Sequence, residues 1–172
     1  EAPEWFVKNI AERPEECSVN VNGANVKYFI WGDKSKKPLL LLHGYNAHSF
    51  WWDHIAPSLT ENHCVVGLDF SGMGESDRRE VYSQEIFVDD VKGVIDDLSW
   101  KSCTCIAHSM GGSIATLATS IYPDIFEHLI LLDSMIVIPP NVAERMSSNR
   151  PSARLVICLL YTSPSPRDVH LS

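Results

Sequence analysis

Four apolar runs dominate the chain: "PLLLLHG" (38–44), "HCVVGLDF" (63–70), "SCTCIAH" (102–108) and "HLILLDS" (128–134). A run that is apolar at nearly every position, not at alternate ones, marks a strand buried on both faces, the usual state of a strand in a parallel sheet. Segments of helical length separate these runs. The first contains "FWWDHIAPSL"; the second starts at Ser83, a suitable N-cap, and repeats Phe87, Val91, Val94, Ile95 and Leu98 at helical spacing; the third is "MGGSIATLATSIY". Strands alternating with helices imply right-handed crossovers and a sheet covered on both sides. Upstream, residues 17–31 alternate around Asn22-Gly23, the dipeptide preferred in a type I′ hairpin turn. The expected fold is therefore α/β: a mostly parallel, doubly wound sheet with an N-terminal antiparallel hairpin, truncated after the sixth strand.

At 172 residues the chain suits one domain, and no internal repeat interrupts it. Its net charge of −8 and lack of any Lys/Arg block point away from nucleic acid and anionic membranes. "LLLL" (39–42) is far shorter than the ~20 residues a spanning helix needs. The cysteines at 17, 64, 103, 105 and 158 lack paired metal-ligand spacing, as do His43, His48 and His54, so buried thiols and no metal are expected. "DFSGMGES" fits neither a dinucleotide nor a Walker loop, and no cofactor is expected. The opening "EAPEWF" shows no signal-peptide pattern, which makes the cytoplasm the default location while leaving a lost leader open.

The chemistry centres on "IAHSMGG" (106–112), where Ser109 stands between a buried strand and a helix. A sharp turn there needs small residues two before and two after the serine, which Ala107 and Gly111 supply in an AxSxG version of the GxSxG elbow. A helix N-terminus offers free amides where an oxyanion would form, with Met110 N–H the nearest. The plainer reading of Ser109 is a helix N-cap.

"LLLLHGYNAHSFWWDHIAPSL", "VVGLDFSGMGESD", "IAHSMGGSIA" and "LILLDS", in this order and spacing, resemble the α/β-hydrolase fold family in its lipase, esterase and epoxide-hydrolase-like branch. The resemblance spans about residues 17–138. It implies that Ser109 is the nucleophile, that the amides of Tyr45 and Met110 form the oxyanion hole, and that His43, Gly44 and Asp69 are structural parts of the motifs. Serine in place of aspartate at the elbow argues against epoxide hydrolase and haloalkane dehalogenase chemistry. Asp133, at the C-terminal end of a strand, is a candidate acid, with a structural carboxylate as its plainer role.

In the chain order of this family the base comes last, on a loop after the final strand. His108 should point to the face opposite Ser109, since adjacent strand residues alternate. His63 and His128 lie away from the site, and no motif marks His43 or His48 as a base. Only His170 is late enough, within "CLLYTSPSPRDVHLS". "CLLYTSPSPRD" (158–168) resembles a translated transposase sequencing adaptor, so residues 158–172 are expected to be a non-native tail. Residues 1–157 are then an N-terminal part of a larger hydrolase, with a cap insertion starting at about 141. The histidine and acid would fall outside it, the "HLILLDS" strand would be an unpaired edge, and the chain would be poorly soluble and nearly inactive.

The leading expectation is a serine hydrolase acting on a small or medium acyl compound through an acyl-enzyme. A cofactor-free perhydrolase or a C–C bond hydrolase would share the elbow. The rival from another class is a non-catalytic small-ligand binder of the same fold, and a structural interaction module is a third.

Overall fold

A computed structural model describes residues 1–134 and 154–158. Its elements are α1 (Glu4–Ala11), β1 (Glu15–Val21), β2 (Ala24–Trp31), β3 (Lys37–Leu42), a 3₁₀ turn (Ser49–Trp52), α2 (Ala56–Leu59), β4 (His63–Leu68), α3 (Gln84–Asp97), β5 (Cys103–His108), α4 (Met110–Ile121), β6 (Phe126–Leu132) and β7 (Arg154–Cys158). The seven strands form one sheet in the order β1-β2-β4-β3-β5-β6-β7. β1, β2 and β4 pair antiparallel, whereas β4, β3, β5, β6 and β7 run parallel. The β1–β2 turn holds Asn22 and Gly23 at φ 49° and 87°, the left-handed pair that a type I′ turn requires.

The leucines of β3 show why the apolar runs are continuous. Leu40 and Leu42 enter a core with Val66, Leu68, Val91, Val94, Ile114 and Ala118 beneath α3 and α4. Leu39 and Leu41 enter a second core on the other face with Phe29, Trp31, Trp52 and Val65. Side chains alternate across a strand, so a sheet buried on both faces needs apolar residues at every position. α3 begins at the expected cap, where the Ser83 side chain accepts from the Ile86 amide.

Three details differ from expectation. The segment "FWWDHIAPSL" is not one helix but a 3₁₀ turn followed by the four-residue α2, because Pro57 fits only the first turn of a helix. Helix α1 was not foreseen; it begins after Pro3, with Glu4 in its first turn and Lys8 in its last. The six expected strands are present, but β6 is not an unpaired edge, since β7 pairs parallel with it from His128↔Arg154 to Leu132↔Cys158. The expected start of a cap at about 141 and the late His170 lie outside the described residues.

Candidate active site

The C-terminal ends of the parallel strands carry the site. Ser109 follows β5 directly, with φ 51° and ψ −117°. A non-glycine residue there is strained by about 1–3 kcal/mol, and such strain persists only where the surroundings enforce it. The Ser109 amide donates to the carbonyl of Leu132 at 3.0 Å, which fastens the turn to the end of β6, while the Ser109 carbonyl accepts from Gly112 N–H at 3.0 Å and starts α4. Ser109 makes no side-chain capping hydrogen bond, so the cap reading does not describe it. Its backbone is also unlike the extended conformation of a working cap such as Ser83, at φ −145° and ψ 169°.

Close packing permits this turn. Ala107 is fully buried. A Cβ on Gly111 would sit 2.6 Å from the His43 carbonyl oxygen and 2.9 Å from that of Leu42, so α4 rests directly on the end of β3. A Cβ on Gly44 would lie 2.9 Å from His108 Nδ1 and 3.3 Å from Ser109 Cβ, which puts the loop after β3 against the serine. Met110 is the first residue of α4, and its N–H belongs to the helix end nearest Ser109.

That loop is clamped by the end of β4. Asp69 is buried and uses both oxygens, Oδ1 accepting from Ser49 N–H at 2.6 Å and Oδ2 from Glu75 N–H at 2.8 Å. Next in sequence, Phe70 N–H donates to His43 Nε2 at 3.1 Å, and His43 Nδ1 lies 2.7 Å from the Gly44 carbonyl oxygen. An amide can only donate and a carbonyl only accept, so His43 is the neutral Nδ1–H tautomer. Burial holds its pKa below the usual histidine range, outweighing the Gly44 hydrogen bond and the charge of Asp69. Tyr45 follows and is 77% exposed.

His108 is closer to the serine than strand alternation implies. Its ring and Ser109 Cβ both border Gly44, because the left-handed turn at Ser109 departs from strand geometry. The ring is tilted by 36° to that of Trp51 with centroids 4.3 Å apart, and among the described residues Nδ1 is buried without a hydrogen-bond partner. Burial lowers the His108 pKa, opposed by the charge of Asp133. Trp51 is 45% exposed while Trp52 is buried in the second core. No pattern in the sequence signalled the His108–Trp51 ring contact.

Asp133, exposed and at φ 47°, follows β6, so it lies at the same end of the sheet as Ser109. Among the described residues no hydrogen bond joins the Ser109 hydroxyl to a histidine, and no group of three or more His, Cys, Asp or Glu is arranged to hold a metal ion. No described helix is long and apolar enough to cross a membrane.

A strand, a strained serine turn and a helix, faced by a glycine loop from the neighbouring strand, define a class of hydrolase scaffold. The profile of the alpha/beta hydrolase fold matches residues 37–154, and the chain belongs to that family. It is 33% identical over 124 residues to a serine hydrolase-like protein of Danio rerio, covering 70% of this chain and 38% of that protein. Epoxide hydrolase 4 of Mus musculus is 33% identical over 122 residues, covering 68% and 34%. A bacterial membrane phospholipase A, described as a virulence factor, superposes with a TM-score of 0.70 at 27% identity, covering 83% of this chain and 48% of its own. The chain spans little more than a third of the length of the first two relatives.

Proposed function

We propose that the whole protein is a serine hydrolase for a carboxylic ester or related acyl compound, with Ser109 as nucleophile. The observation that supports this most is the strained Ser109 backbone, held against Gly44 at a helix N-terminus. Serine at this turn favours the serine hydrolase-like relatives over the epoxide hydrolases, since opening an epoxide on this scaffold calls for a carboxylate nucleophile. Ser109 Oγ attacks the carbonyl carbon as its proton passes to a base. The oxyanion is stabilised by the amides of Tyr45 and Met110, the C–O bond to the alcohol breaks with protonation of the leaving oxygen, and water then releases the acid.

Among the carboxylates beside the site, Asp69 is committed to two amides, which leaves Asp133 as the candidate acid in the described part. His43 is engaged at both nitrogens, which removes it as the base, and the chain order of the family assigns the base to a loop after the final strand, outside the described residues. We further propose that residues 1–157 are hydrolase sequence and that residues 158–172, whose first member Cys158 closes β7, are a non-native tail. On this reading the 172-residue chain alone turns over little substrate.

Hydrolysis of p-nitrophenyl esters by the complete natural protein tests the reading. Turnover lost in Ser109→Ala supports it. Binding of a small ligand with no turnover would instead mark a non-catalytic binder.

A further inference from the structure

We propose that His43 is a positioning residue: its Nδ1–H, by holding the Gly44 carbonyl, sets the direction of the Tyr45 N–H that receives the oxyanion. This rests on the reading of Ser109 as a nucleophile. The Gly44 carbonyl and the Tyr45 N–H belong to one peptide unit, which is planar, and the described chain contains no cis peptide bond. In a trans unit the N–H points opposite to the C=O. The Gly44 oxygen faces the buried His43 ring at 2.7 Å, so the Tyr45 N–H faces away from that ring.

The ring cannot readily turn. Phe70 N–H fixes Nε2 as the acceptor, which keeps the proton on Nδ1, and the Phe70 side chain lies edge-on to the ring with centroids 4.9 Å apart. The Gly44 oxygen also accepts from Ala47 N–H at 3.3 Å, which closes the turn through Asn46 at φ 55°. Gly44 itself rests against Ser109 Cβ. Hydrogen bonds thus run from the end of β4, through one imidazole tautomer, to the peptide beside the nucleophile. Among the described residues no hydrogen bond uses the Tyr45 N–H, as suits a donor kept for a substrate oxygen.

Two substitutions separate the two ring nitrogens. His43→Asn can place an amide N–H where Nδ1 was, whereas His43→Gln can supply an oxygen to Phe70 N–H but loses the bond to Gly44. The experiment uses the complete natural protein in solution: ¹⁵N spectra for the His43 tautomer, the residual dipolar coupling of the Tyr45 N–H for its direction, and the rate of Ser109 labelling by a fluorophosphonate. Expected are a Nδ1–H tautomer, a Tyr45 coupling kept in His43→Asn and altered in His43→Gln, and labelling slowed about 100-fold in Gln but less than about tenfold in Asn, the scale for losing one oxyanion donor. An Nε2–H tautomer, or a Tyr45 coupling unchanged in both variants, overturns the proposal. Complete wild-type protein that takes up no fluorophosphonate counts against the nucleophile, while the spectra still decide the role of His43. Should His43→Gln fail to fold, the wild-type scalar coupling across Nδ1–H···O=C decides: its presence upholds the positioning bond and its absence refutes it.

Discussion

A Cβ on Gly111 would stand 2.6 Å from the carbonyl oxygen of His43, so the helix behind the serine and the strand leading to the glycine loop meet backbone to backbone. The two halves of the site are therefore built on one contact. Moving α4 outward by the width of a methyl group would separate Ser109 from Gly44.

Gly111→Ala should destabilise the fold by about 1–3 kcal/mol, the usual cost of overpacking, since a main-chain carbonyl cannot rotate out of the way. The denaturant midpoint measures this. A variant as stable as wild type would show that α4 can shift freely.

Asp69→Asn keeps the shape of the clamp but presents an NH₂ group to either Ser49 N–H or Glu75 N–H, both of which need acceptors. A loss of about 1–3 kcal/mol is expected, along with faster hydrogen exchange at one of those two amides. Unchanged exchange at both would refute the clamp.

A second buried network lies away from the site. Asp90 is fully buried, accepts from Ser71 N–H at 2.9 Å and from the Ser71 hydroxyl, and pairs with Arg79 at 2.9 Å. Burial raises the Asp90 pKa against these partners. Arg79→Met would leave the carboxylate buried without its cation and should cost about 3 kcal/mol or more in thermal or denaturant unfolding. The pair Arg79→Met with Asp90→Leu should cost less than the single change.

The depressed pKa of His43 predicts how stability varies with pH. Below the ordinary histidine value of 6.5 the unfolded chain binds a proton that the folded chain refuses, so this contribution is whole above pH 6.5 and is lost as pH falls. His108, also depressed, acts in the same direction. Denaturant midpoints between pH 7 and pH 5 should fall less steeply in His43→Asn than in wild type. An identical slope would place the titration elsewhere.

The sheet was legible because burial on both faces leaves a plain mark: Leu39 to Leu42 must all be apolar, as alternate members enter different cores. The hairpin was legible from Asn22-Gly23, and α3 from Ser83 and its apolar spacing. Ser109 could be singled out because the small residues Ala107 and Gly111 are a steric need of the turn. What stayed hidden depends on contacts distant in sequence. Neither the approach of His108 to Gly44 nor its tilted contact with Trp51 follows from a local pattern. The two uses of His43 need Phe70, 27 residues away, to be seen at all. The pairing of β7 with β6 stayed hidden because residues 154–158 fall where the sequence points to a cap insertion and then a non-native tail, and their partner strand lies more than 20 residues away.

The most direct measurement is mass-spectrometric mapping of a fluorophosphonate adduct on the complete natural protein, compared with Ser109→Ala. A single adduct on the peptide containing Ser109, absent in the alanine variant, is the predicted result. An adduct on another residue, or none on a folded protein that still hydrolyses esters, would contradict the assignment of Ser109 as nucleophile.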